Sequence, residues 1–211
     1  MFLIMGNEIN FMVSLKNIIA YYTPLILALI ISILGIFYFM LYYYKNKKYH
    51  FLFASIGFIA SLVLVGALLS IGVDALGLSI TPVLGAPLPL FISLAVFYLI
   101  FPRMWLYYFV FVILGIILIG VTKLSIPAIH SIAGLVIVAF PIYGLIKKLY
   151  PWKIIFITLG GILIGVGGLA LASLSMGKPI LPLEMVLTLL PSILFLMSLF
   201  FFLGFYLVTK R

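Results

Sequence analysis

Lys45-Asn46-Lys47-Lys48 has apolar sequence on both sides, residues 18–44 before it and 51–72 after it. Further along, Lys147-Lys148-Leu149-Tyr150-Pro151-Trp152-Lys153 punctuates the chain in the same way, between 126–146 and 153–174. Charges are expensive in hydrocarbon, and lysines collect where membrane-crossing helices end. The two stretches therefore mark places where the chain leaves a bilayer and turns back into it.

Composition agrees with that reading. The chain is 67% hydrophobic and 7% charged, against roughly 25% charged for an ordinary soluble domain. A water-soluble fold could not cover so much apolar surface, so the sequence predicts an all-α, polytopic integral membrane bundle. The net charge of +9 comes from 12 basic and 3 acidic residues. With the bases placed between apolar runs, they read as topogenic charge and not as a nucleic-acid surface. The chain has no cysteine, which excludes disulfides, thiolate metal sites and cysteine nucleophiles.

Working outward from the lysine stretches, seven transmembrane helices are expected at 18–44, 51–72, 80–101, 104–122, 126–146, 153–174 and 183–208. Each run is long enough to cross about 30 Å of hydrocarbon at about 1.5 Å per residue. Residues 1–17 carry Asn7, Glu8 and Asn10 and read as an extracytoplasmic N-terminal tail or interfacial helix ahead of the 18–211 transmembrane domain. On this count Lys45, Lys47, Lys48, Arg103, Lys147, Lys148, Lys153, Lys210 and Arg211 share one side. Lys16, Lys123 and Lys178 share the other with every acid in the chain, Glu8, Asp74 and Glu184. The positive-inside rule then puts this multi-pass protein in the cell membrane with its N-terminus outside and its C-terminus in the cytoplasm.

Two patterns lie beneath the span count. The first three and last three spans share a proline-bearing helix, a lysine cluster and a glycine/serine-rich helix, which suggests a 3+1+3 parallel repeat. Ser55-Ile56-Gly57 then lies over Leu159-Gly160-Gly161. In the sixth span Gly161, Gly165, Gly168 and Ala172 fall on one helical face, a helix-packing face open to close approach. Gly204 stands alone among phenylalanines, so Gly165→Leu is expected to do more damage than Gly204→Leu. Pro82, Pro127 and Pro182 suit first-turn positions, whereas Pro89, Pro141 and Pro191 fall deeper and should kink their helices.

Residues for chemistry are scarce. No carboxylate falls in a span centre, as proton- or ion-coupled transport would want. His50 and His130 belong to opposite ends of their spans and cannot ligate one haem iron together. His130 is the one polar candidate in the apolar sequence, and its plainer role is a hydrogen bond to a nearby carbonyl or Ser131. The topology resembles that of microbial rhodopsins, yet no lysine between Leu183 and Val208 could carry a retinal Schiff base. No cofactor, no metal and no catalytic residue is expected, and the protein is read as a non-enzyme.

Two functions fit: a structural or accessory subunit, with membrane lipid and other membrane protein subunits as partners and no nucleic acid, or a small-solute carrier or channel. The topology is directly testable because the cysteine background is empty. Cysteines at Asn46 and Leu149 should be shielded from an impermeant thiol reagent outside intact cells, and one at Gly177 should be labelled. Outside labelling at position 46 inverts the orientation.

Overall fold

The structure, a computed structural model, describes residues 2–71, 85–122, 125–175 and 180–209. Among these residues it is all-helical, with seven α-helices: α1 Phe2–Asn46, α2 Tyr49–Ile71, α3 Pro87–Ile100, α4 Trp105–Val121, α5 Ser125–Ile146, α6 Ile155–Ser175 and α7 Leu183–Thr209. A 3-10 turn, Trp152–Ile154, leads into α6. Segment 2–17 joins the first apolar run in a single helix, with Pro24 inside it.

Five stretches are long and apolar enough to cross a membrane: Ile18–Asn46, Tyr49–Ile71, Ser125–Ile146, Trp152–Ala170 and Met185–Val208. They fit a multi-pass membrane protein. The helices at the third and fourth expected spans are shorter, 14 residues in α3 and 17 in α4. At about 1.5 Å per residue they reach about 21 and about 26 Å, less than the hydrocarbon thickness. The start of α3 has a local cause. Pro87 opens the helix, where its missing N–H leaves no bond unmade, and Pro89 also falls in the first turn. Pro89 is thus no mid-helix kink, unlike Pro141 and Pro191, which lie inside α5 and α7. Positions 80–84 of the third expected span, Pro82 among them, lie outside the described residues.

Both lysine stretches are the turns that the sequence implies. α1 ends with Lys47 in the left-handed region, φ 53°, and its amide donates to the Tyr43 carbonyl at 2.7 Å. Asn46 Nδ2 also donates to the Tyr42 carbonyl one turn back, at 3.0 Å. After α5, Lys148 takes φ 54°, with Leu149 N donating to Gly144 O at 2.8 Å and Lys148 N to Leu145 O at 3.0 Å. These are the two common ways of closing a helix C-terminus, built here on lysine where glycine is usual.

Six helices close a circuit in which α1 packs on α2, α2 on α3, α3 on α5, α5 on α6, α6 on α7 and α7 on α1. α4 stands outside it, against α3 and α5. Burial follows from these positions. α1 buries Leu25, Ala28, Ser32, Gly35 and Phe39 along one stripe, flanks it with half-buried residues such as Leu29, Ile36 and Tyr38, and exposes Ile26, Leu34, Phe37 and Leu41 on the far side. α3 is buried on nearly every side, from Leu88 through Ile100, because α2, α4 and α5 surround it. α4 buries only Tyr108, Val112, Gly115 and Ile119. Tyr108 anchors it, stacked on Phe97 at 4.5 Å and bonded through its hydroxyl to Ser93 Oγ at 3.1 Å.

Candidate functional site

The glycines of α6 were expected to present one packing face, and the structure divides them among several surroundings. A Cβ at Gly161 would lie 2.5 Å from Ile137 Cγ2 of α5, so this glycine does admit a neighbour closely. Gly165 would meet nothing within 4 Å, and Gly168 only His130 Cδ2, at 3.9 Å. The Ala172 side chain lies outside the described residues. The tight contacts on the α7 side are Gly160, whose Cβ would fall 2.7 Å from the Phe201 ring, and Gly204, which sits against Ile157. A Cβ at Gly204 would be 2.5 Å from Ile157 Cγ1 and 2.9 Å from the Ile157 amide nitrogen. These contacts favour the opposite order of damage for Gly165→Leu and Gly204→Leu. Helical spacing tells which residues share a face, but the backbone that faces them comes from another part of the chain.

His130 is brought next to that α6 surface. Its Nδ1 lies 3.1 Å from the Ile126 carbonyl one turn back. A carbonyl can only accept, so the contact is a hydrogen bond when Nδ1 carries the proton, which leaves Nε2 as the acceptor. That is the plainer of the two roles expected for it. The second histidine, His50, is 7% exposed, and its Nδ1 is enclosed without a hydrogen-bond partner. The Phe51 and Tyr98 rings pack on it, with centroids at 4.0 and 5.8 Å.

The main polar assembly in the described interior was not anticipated. Ser32 of α1, Ser61 of α2 and Ser198 of α7 are all buried to within about a hundredth of full burial, at 0%, 1% and 1% exposure. Ser32 Oγ lies 2.8 Å from the Ala28 carbonyl and 3.0 Å from Ser61 Oγ, and Ser61 Oγ lies 3.3 Å from Ser198 Oγ. Each hydroxyl has one proton. The single Ser32 proton can go to the Ala28 carbonyl or to Ser61 Oγ, and either hydroxyl of the Ser61–Ser198 pair can donate to the other. The partners are one another and a carbonyl, with no base among them to activate a nucleophile. What the arrangement can do is tie three helices together or exchange partners with a hydroxyl-bearing solute. The sequence offered only a faint signal for it, three mid-span serines separated by 29 and 137 positions.

Thr158 makes the corresponding tie between α6 and α5, its Oγ1 donating to the Val138 carbonyl at 3.2 Å. Among the described residues no three His, Asp or Glu side chains gather into a metal-holding group.

These contacts predict the outcome of paired substitutions. Gly204→Leu should lower stability by on the order of 1–3 kcal/mol, since the Ile157 backbone cannot move aside as a side-chain tip could. Gly165→Leu should stay within about 0.5 kcal/mol of the parent. Thermal unfolding in detergent checks both, and equal losses would show that Gly204 is not in the close contact described. Comparison of the chain with protein-family models, with curated proteins and with solved structures found no match.

Proposed function

We propose that the chain is a structural or accessory subunit that packs in the bilayer against partner membrane proteins. The observation that carries this reading is α4. It is held through one stripe and turns Leu106, Tyr107, Val110, Leu114 and Ile117 outward, each more than half exposed. The interior supports the same view. Phe39, Phe51, Phe58, Phe201 and Phe205 are all but fully buried, and the serine hydroxyls satisfy one another. A bundle filled in this way suits a static scaffold, with lipid and neighbouring subunits sharing its outer faces.

The second reading is a carrier or channel for a small neutral solute in a seven-helix, 3+1+3 arrangement. Its support is the helix circuit. α1, α2 and α3 meet α5, α6 and α7 at the α3/α5 and α7/α1 joints, with α4 as the outside linker. The lysine turns also correspond, each with a left-handed lysine and a tyrosine–lysine pair, Tyr43 with Lys47 and Tyr143 with Lys147. Gly57 receives Ile92 of α3 much as Gly160 receives Phe201 of α7. That shifts the glycine register by one from the sequence alignment, which paired Gly57 with Gly161. In either reading the basic ends face the cytoplasm, by the positive-inside rule.

The two readings separate on purification. A subunit extracted in mild detergent from its native membrane should carry companions at fixed stoichiometry, lost on Leu114→Arg without a fall in the chain's own unfolding temperature. A lone, monodisperse chain contradicts that reading. If the lone chain in proteoliposomes also speeds glycerol entry, measured by stopped-flow light scattering, the carrier takes its place.

A further inference from the structure

Among the described residues the strongest charged surface is a basic end, and three connections build it. α1 and α2 are joined by Lys47-Lys48 alone, α3 and α4 by 101–104 with Arg103, and α5 and α6 by a short turn beginning Lys147-Lys148. Ring and hydroxyl contacts hold the three side by side. Tyr49 at the head of α2 stacks on Trp105 at 5.5 Å, tying the first connection to the second. Phe101 stacks on Tyr143 at 6.0 Å, and the Tyr150 hydroxyl donates to the Leu99 carbonyl at 2.9 Å, tying the second to the third. Lys45, Lys47, Lys48, Arg103, Lys147 and Lys148 are exposed there, and none of the chain's acids falls in these connections.

Two observations say what this charge meets. The first is depth. Connections of so few residues cannot project beyond the ends of their helices, so the cations sit at the level where a bilayer's phosphates lie. Exposed Tyr44, Tyr107 and Trp152 flank them as interfacial aromatics do. The second is conformation. Lys47 and Lys148 both occupy left-handed backbone, where a side chain is unfavourable and glycine is free of strain. A lysine anywhere in the connection would serve to orient the chain, so orientation alone does not explain lysine at the strained position in both turns. Lys47 Nζ lies 4.5 Å from the Tyr44 ring centroid and Lys147 Nζ 6.0 Å from that of Tyr143, so the aromatic faces help to place these ammonium groups.

We propose that the two left-handed lysine turns, with Arg103 between them, form a binding surface for the phosphates of anionic phospholipids. The surface recognises charge and leaves neutral headgroups unbound. It is independent of whether the chain is a subunit or a carrier, because it concerns the leaflet at one end and not the interior.

The left-handed turns also make a clean test. Thermal unfolding of the detergent-solubilised full chain would be followed with added phosphatidylglycerol, phosphatidylcholine or inorganic phosphate. Phosphatidylglycerol should raise the unfolding temperature well above the value in phosphatidylcholine, and the increment should shrink in high salt. The double variant Lys47→Gly, Lys148→Gly relieves the backbone, so in phosphatidylcholine it should unfold at the parent temperature or above. Its increment with phosphatidylglycerol should fall by at least half. Arg103→Gln, which leaves both turns intact, should also lower the increment, and it tests the same surface if the double variant does not fold. An unchanged increment in these variants overturns the proposal, as does equal stabilisation by the two lipids. Inorganic phosphate matching phosphatidylglycerol overturns it too, by making free phosphate the ligand.

Discussion

Helices in a bilayer gain little by hiding apolar side chains from one another, because lipid is as apolar as leucine. What holds them is close, well-fitted contact. That constraint is visible at nearly every joint of this molecule, where a glycine takes in a bulky neighbour. Gly35 of α1 receives Phe58 of α2, Gly57 of α2 receives Ile92 of α3, and Gly144 of α5 receives Ile100 of α3. Gly161 receives Ile137 between α6 and α5, while Gly160 and Gly204 join α6 to α7. Even the outlying α4 meets α5 through Gly115 against Ile129.

The α1/α7 joint is made differently, and it closes the circuit. Here Tyr38 and Phe39 meet Phe202, Phe205 and Tyr206 ring to ring, with centroids 5.1 to 6.0 Å apart. Near it Ser32, Ser61 and Ser198 join α1, α2 and α7. A hydrogen bond between membrane helices contributes about 0.6 kcal/mol on average, so the serines specify register more than they supply stability. Their geometry also explains why they can sit in an apolar interior at all, since each hydroxyl oxygen has a polar partner within hydrogen-bond distance.

The sequence was legible where physics acts locally. Lysines at helix ends located both turns, and among the described residues a helix lies at each of the seven expected runs, five of them long and apolar enough to cross a membrane. It was less reliable for length, because Pro87 and Pro89 shift the start of α3 in a way that mean hydropathy does not register. It failed for partners. Gly165 belongs to an attractive four-residue pattern yet faces open space, whereas Gly204, alone among phenylalanines, touches another helix's backbone. The serine group escaped notice for the same reason, since its members share no local motif and meet only once α7 has returned to α2. The contact of His130 Nδ1 with the Ile126 carbonyl is set within one helical turn, and so is within reach of local reasoning.

The claim on which the rest stands is that the circuit closes, with the last helix returning to the first two at the serines. The cysteine-free chain allows a direct measurement. Ser61 and Ser198, whose Oγ atoms are 3.3 Å apart, would be replaced together by cysteine and oxidised in membranes. Sulfurs placed there need to close only to about 2.05 Å to form a bond. The account predicts an intramolecular disulfide, seen as loss of both thiols to maleimide under denaturing conditions, independent of protein concentration and absent from a Ser61→Cys, Gly165→Cys control. Free thiols in the test pair, or disulfides only between chains, would contradict the closed circuit.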